Sequence, residues 1–338
     1  MTFSHHLQTS EPEHPFAGYI RILGKGKKGA RSLTQHEAYQ AMNMILADQV
    51  LPVQLGAFLM LLRIKEETPE ELAGFVCAIR ESMAIADQTI HVDLDWSSYA
   101  GKRRHLPWFL LAAWLLAENG LTILMHGAPG PASNRLYTEN MLSYLGLTPA
   151  TSLEHAQKQL LQHRFSYLSL PLFCPKLHQI LELRPILGLR SPVHTLVRMI
   201  NPMNAAYSIQ GIFHPGYRPV HQHAAVLLQQ THMAVIKGEG GETERNPDLP
   251  CLVQSVHHGE LYDENWPPMF ERRHLKPEHL DPKQLTLLWR GQIHDDYAEA
   301  SVIGTAAIAL KLLGKADSQT QAHQLALAYW SARDKRKI

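Results

Sequence analysis

The sequence predicts an α/β fold: a small N-terminal all-helical domain, residues 1–88, and a larger α/β domain, residues 89–338, whose mainly parallel central sheet is flanked by helices. Three observations predict it. Helix-start signals crowd the first quarter of the chain. After residue 88, short apolar runs alternate with helical patterns, as in a sheet covered on both faces. The 338 residues suffice for roughly two domains of ~150 residues each.

Thr34-Gln35-His36-Glu37 is a capping box, because the threonine hydroxyl accepts from the first turn while Glu37 reaches back to the cap. Ala38, Met42, Ile45 and Leu46 follow at helical spacing. Pro52 opens a second helical pattern, VQLGAFLMLLRIK, and Thr68-Pro69-Glu70-Glu71 a third, with two acids at the positive end of the helix dipole. LTILMHG (121–127), YLSLPLF (167–173), HMAVIKG (232–238) and LVQSV (252–256) read as buried strands. Helical patterns lie near 134–145, 154–164, 176–200, 221–230, 296–313 and 319–334, and the 176–200 segment is expected to complete the helical domain.

Hydrophobic residues are 45% and charged residues 19%, as in an ordinary globular protein. The longest apolar run, Leu106–Ala117, falls short of the ~18 residues a membrane span needs, so no membrane association is expected. MTFSHHLQTSEPEHP has no basic start or apolar centre of a signal peptide, which predicts a cytoplasmic protein. Cys77, Cys174 and Cys251 are widely spaced and read as core thiols. The 21 histidines show no HExxH spacing; His221 with His223 and His257 with His258 are the nearest approaches, and both read as structural.

The net charge of +1 gives no global attraction to nucleic acid, so any such affinity must be local. Three basic clusters stand out. Arg21, Lys25, Lys27, Lys28 and Arg31 occupy eleven residues without an acid, interleaved with Gly24, Gly26 and Gly29. Lys102, Arg103, Arg104 and His105 form the second, and Arg333, Lys335, Arg336 and Lys337 a third that reads as a frayed, solvated tail. GKGKKG matches GxGxxG in letters, but at most four strand-like residues, Ile20–Leu23, precede it, so a dinucleotide loop is not expected. Lysine and arginine on a glycine-rich loop suit a phosphate backbone, and Tyr19, Tyr99 and Trp108 are the nearby rings available for base stacking.

The N-terminal segment LTQHEAYQAMNMILADQVLPVQLGAFLMLLRIKEETPEELAGFVCAIRESM closely resembles the helical domain of anthranilate phosphoribosyltransferase. The resemblance continues through Met125-His126-Gly127, LGLRSPVHTLVRMINPMNA, VIKGEGGETERNP and GKADSQTQA, and so covers nearly the whole chain. It implies the nucleoside phosphorylase and phosphoribosyltransferase class II fold, usually a homodimer joined through the helical domain. The diphosphate elements of that family depart here. Ser97-Ser98-Tyr99-Ala100-Gly101-Lys102-Arg103-Arg104 stands in place of a Gly-Thr-Gly-Gly-Asp loop, and Leu106-Pro107-Trp108-Phe109 in place of polar phosphate ligands. A Lys-His-Gly-Asn-Arg element reads Met125-His126-Gly127, with Asn134 and Arg135 displaced by an insertion. The magnesium-binding Asp-Glu pair becomes Glu242-Thr243; Glu239, Glu242 and Glu244 are the acids a metal would have, with Glu239 and Glu242 the candidates, and the three read rather as solvated loop acids.

By resemblance, Ser98, Tyr99, Gly101, His126, Gly127, Asn134 and Arg135 map to a ligand pocket, and Arg190 to the arginine that helps bind the aromatic acceptor. The Ser98–Arg103 loop, His194-Thr195-Leu196 with Asn201-Pro202, and Glu242–Pro247 resemble the YbiB-like branch, whose members are similar to nucleic-acid binders with little sequence preference. The expectation is therefore a non-enzymatic homodimer binding single-stranded DNA or RNA through Lys25, Lys27, Lys28, Arg31, Lys102, Arg103 and Arg104, without catalytic residues, metal or cofactor. The alternative is a phosphoribosyl or glycosyl transferase, in which case magnesium and a phosphoribosyl diphosphate-like donor are implied.

Overall fold

The threonine box at Thr34 and the helix start at Thr68 both cap helices. Thr34 and Thr68 accept from the third backbone N–H of their helices, and Glu37 and Glu71 return the bond. A computed structural model describes residues 12–26, 28–83, 90–130 and 134–338. Its N-terminal unit holds α1 (Ala17–Gly24), α2 (Gln35–Leu46), α3 (Pro52–Lys65) and α4 (Pro69–Ser82). Ile20–Leu23, expected as strand-like, lies within α1, where it buries Leu23 on one side of a single helical turn. Helices α2 and α4 cross closely because Gly74 has no side chain: a Cβ there would stand 2.2 Å from the Gln35 carbonyl. Glu71 is fully buried, accepting from the Leu33 and Thr68 amides at 2.8 and 2.9 Å and from Lys65 Nζ at 2.7 Å.

The rest of the chain builds a seven-stranded sheet from β1 (Leu94–Ser98), β2 (Ile123–Gly127), β3 (Phe165–Ser169), β4 (Tyr207–Ile212), β5 (His232–Lys237), β6 (Cys251–His257) and β7 (Glu260–Trp266). The strand order is β3-β2-β1-β4-β5-β6-β7. The first five strands are mutually parallel, and β6 and β7 add an antiparallel edge. Connecting helices are α5 (Phe109–Glu118), α6 (Thr138–Met141), α7 (Leu153–His163), α8 (Leu170–Phe173), α9 (Pro175–Leu181), α10 (Arg184–Leu187), α11 (Val193–Leu196) and α12 (Tyr217–Leu227), followed by α13 (Lys283–Trp289), α14 (Asp296–Leu312) and α15 (Gln319–Ala332).

Helix α5 is apolar on nearly every side because it lies in the main core, against strand and α14 residues. A second cluster joins α1–α4 to Leu170, Leu177, Ile180, Val193 and Leu196, and α12 packs on α4. The expected continuous helical pattern over 176–200 is broken into short turns, since Gly188 takes φ +73 and Pro185 and Pro192 interrupt the helix hydrogen bonds. The apolar run at 167–173 is half strand and half helix, with Pro171 starting the turn. No helix among the described residues is long and apolar enough to cross a membrane.

The strand order reverses between β1 and β4, and the crevice beyond the carboxyl ends of those strands is where open α/β sheets hold ligands. The loops after β1, β2, β4 and β5 meet there.

Candidate functional site

Strand β1 ends at Ser98, and its loop turns at Gly101 with φ +66. A turn of this kind aims successive backbone N–H groups into one concavity, the arrangement that binds anions. The concavity is already filled. Glu242, 1% exposed, accepts from the amides of Ala100 and Gly101, each at 2.6 Å, and from Ser98 Oγ at 2.7 Å. Glu239 accepts from the amides of Arg103 and Arg104 at 3.0 and 2.6 Å. Two carboxylates of the segment after β5 thus take the loop's donors.

Lys102 lies between them and is 1% exposed. Its ammonium pairs with Glu244 and with Glu239, the latter at 3.1 Å, while Glu244 also accepts from the Phe109 amide at the start of α5 at 2.9 Å. Burial alone would depress the lysine's pKa, but Glu244 and Glu239 outweigh it and hold the pKa above the ordinary value. Lys102 is therefore an internal counter-ion, which corrects its expected place in a nucleic-acid surface. Arg103 and Arg104 are exposed.

Other expected cations divide in the same way. Lys25 and Lys28 are exposed, Lys27 lies outside the described residues, and Arg31 is engaged by both oxygens of Glu37 at 2.7 Å. That pair lowers the Glu37 pKa to about 2, chiefly through the Arg31 hydrogen bond. The third cluster, expected as a frayed, solvated tail, is held at one end: Arg333 lies 3.5 Å over the Trp330 ring and donates to the carbonyls of Leu288, Trp289 and Trp330, while Lys335, Arg336 and Lys337 are exposed. Trp108 is in the core at 3% exposure, so it offers no face to a base. Tyr99 is half-buried, with its hydroxyl 2.7 Å from His126 Nδ1.

Among the residues mapped to a pocket, Ser98, His126 and Gly127 are buried in structural roles. His126 bridges Tyr99 and Asp95, and a Cβ on Gly127 would meet the Ser98 carbonyl at 2.1 Å. Asn134 is exposed, and Arg135 donates to the carbonyls of Ala100 and Gly101 at 2.9 and 3.0 Å, bracing the loop. Arg190 does open on a cleft of about 100 Å³, together with Arg63, His194, Arg198, His214 and Tyr217. Burial and the neighbouring Arg184, Arg135 and Arg198 pull the Arg190 pKa down to about 10, and burial with Arg190 pulls His194 to about 3. The cleft thus gathers Arg63, Arg190 and Arg198, with Glu67 beside Arg63 the acid in its lining, and linear reading missed the gathering because Arg63 stands 127 residues before Arg190.

Glu239, Glu242 and Glu244, expected as solvated loop acids, are instead turned inward: Glu239 and Glu242 accept from loop amides, Glu244 pairs with Lys102, and no group of three potential metal ligands converges among the described residues. His221 is buried with Nδ1 2.7 Å from Gln210, and His257 Nδ1 faces His232 Nδ1 at 3.0 Å across β5 and β6.

Residues 18–83 match the family described as glycosyl transferase family, helical bundle domain. An uncharacterized protein of Aquifex aeolicus is 28% identical over 281 residues, 82% of this chain and 80% of that protein. The uncharacterized protein YbiB of Escherichia coli is 29% identical over 59% of this chain and 63% of its own length. Anthranilate phosphoribosyltransferase of Chloroflexus aurantiacus is 28% identical over 68% of both chains. The crystal structure of that enzyme from Thermus thermophilus superposes with a TM-score of 0.76 at 22% identity, covering 93% of this chain and 94% of the other. The Saccharomyces cerevisiae enzyme in complex with PRPP and Mg gives 0.75 at 18% identity, over 96% and 97%.

Proposed function

We propose that this chain, an anthranilate phosphoribosyltransferase-like protein of glycosyltransferase family 3, is a sequence-tolerant binder of single-stranded nucleic acid rather than a working transferase. The observation that carries the reading is the filled amide loop. A transferase of this fold needs its diphosphate where Glu242 and Glu239 now accept the donors of residues 98–104. Magnesium and a phosphoribosyl diphosphate do not fit this donor set, because a bound diphosphate would have to displace two carboxylates from the loop amides and leave them without those donors.

What remains available to an anion is exposed charge. Lys25, Lys28, Arg103 and Arg104 face solvent, and the Arg190 cleft adds a set of guanidinium groups. Long cationic side chains follow a flexible phosphate backbone without demanding one diphosphate geometry. The test is a titration with fluorescent single-stranded oligonucleotide. Reversing Lys27, Lys28, Arg103 and Arg104 to glutamate abolishes binding; unchanged affinity sinks the proposal.

A second reading, a phosphoribosyl or glycosyl transferase, is favoured by the similarity to transferases along two thirds of the chain. It requires magnesium-dependent, saturable binding of phosphoribosyl diphosphate. Calorimetry on the same sample separates the two readings, and absence of heat at millimolar ligand removes the second.

A further inference from the structure

We infer that Glu242 and Glu239 are built-in occupants of an otherwise intact anion nest, so that these two side chains alone decide that the loop after β1 takes no small diphosphate. The inference deepens the reading above and rests on the same filled loop, but it fails separately: loss of oligonucleotide binding leaves it standing, and pyrophosphate titration alone decides it.

Three features argue for a preserved nest. First, the donors still converge: the amides of Ala100 and Gly101 share one oxygen of Glu242, the amides of Arg103 and Arg104 share one oxygen of Glu239, and Ser98 supplies a hydroxyl. Amide pairs sharing an oxygen are the geometry a phosphate oxygen uses. Second, two guanidinium groups flank the loop. Arg135 donates to the carbonyls of Ala100 and Gly101, and Arg198 to that of Gly241 at 3.0 Å. Third, the acids are delivered by a backbone with no slack. A Cβ on Gly211 would stand 2.4 Å from the Glu242 carbonyl carbon, one on Gly238 1.7 Å from the Glu242 backbone carbonyl oxygen, and one on Gly240 2.8 Å from the Gly101 carbonyl oxygen. The segment is pressed into the loop, and opening the nest by rotating Glu242 away would leave a carboxylate buried without its donors.

Replacing the ligand by a tethered carboxylate also removes the ordering cost a free anion bears, which is why the loop is closed before any ligand arrives. The wild-type protein is therefore expected to be blind to inorganic pyrophosphate, and the variant that deletes the tethered anion to gain it.

The experiment is calorimetric titration of inorganic pyrophosphate, without metal, into the full chain carrying Glu242→Ala, Glu239→Ala or both, with far-ultraviolet circular dichroism as the folding check. The expected result is no saturable heat for wild type and binding with Kd of about 1 mM or tighter for the double variant. Glu239 sits at the partly exposed edge of the loop, so Glu239→Ala remains informative if Glu242→Ala does not fold; it frees the Arg103 and Arg104 amides and is expected to bind weakly. Wild-type binding equal to that of the variants overturns the inference. So does a folded Glu239→Ala, or a folded double variant, that gives no heat.

Discussion

At the residue scale, Lys102 shows how neighbours decide what a charge does. Three adjacent basic residues look equivalent in sequence, yet one is 1% exposed between Glu244 and Glu239 while the next two face solvent. No local pattern distinguishes them, because the partners lie more than 130 residues away. Lys102→Met strands Glu244 in the interior, and removing one member of a buried pair costs on the order of 3–5 kcal/mol. Urea denaturation should show that loss for Lys102→Met and a clearly smaller one for the Lys102→Met/Glu244→Gln double variant, the signature of a coupled pair. Histidines give a second residue-level expectation. Burial holds His221 at a pKa of about 3, and burial with Arg190 does the same for His194. The unfolded chain takes up protons near its ordinary pKa of about 6.5 while the folded one stays neutral, so it binds more protons in that window. Stability is accordingly unaffected above about pH 6.5 and falls as pH drops toward 3, by up to about 1.4 kcal/mol per pH unit per histidine. His221→Gln should flatten that slope in melts taken from pH 7.5 to 5; an unchanged slope refutes the assignment.

At the scale of elements, capping chemistry and periodicity were legible where local physics dominates. Thr34-Glu37 forms the box its spacing predicts, Thr68-Glu71 forms a second where a helix start was expected, and the apolar runs at 121–127, 232–238 and 252–256 hold β2, β5 and β6. Reading failed where an element's polarity is set by distant partners. Strand β1, LDWSS, is wholly buried although three of its five residues are polar, because Asp95 meets His126 and Ser98 meets Thr138 and Glu242. It is also the strand that positions the loop, so the site was located by resemblance rather than by its own pattern. The same principle makes Glu71 more than a cap. Thr68→Ala removes one cap bond and should cost about 1 kcal/mol. Glu71→Ala also leaves the Leu33 amide without its acceptor and Lys65 without its counter-ion, so it should cost several times as much. Chemical denaturation of the two variants ranks them directly, and equal losses would mean Glu71 acts as a cap alone.

At the scale of the whole molecule, the outer side of the helical unit bears on how weak phosphate contacts add up. Val53 and Ile64 on α3 are 74% and 80% exposed, and Ile186 on α10 and Leu189 just after it are 80% and 51% exposed. The two segments adjoin, since a Cβ on Gly56 would lie 3.9 Å from Leu187. Exposed apolar side chains on adjoining segments suit an association surface, and the homodimer expected from resemblance, joined through the helical unit, would cover them. Such a dimer changes the binding arithmetic. Four exposed cations, Lys25, Lys28, Arg103 and Arg104, give a log–log salt slope of about −3 per protomer at ~0.7 per phosphate on a single strand. Two protomers on one strand double the slope and raise the affinity through effective concentration, without any new contact. Val53→Glu with Ile64→Lys should therefore yield a folded monomer by light scattering. Its affinity for a long oligonucleotide should fall at least tenfold and its salt slope should halve, while a strand too short to span two protomers binds as before. A variant that stays dimeric, or a monomer that keeps the full slope, removes the helical face from the mechanism and leaves each protomer to bind alone.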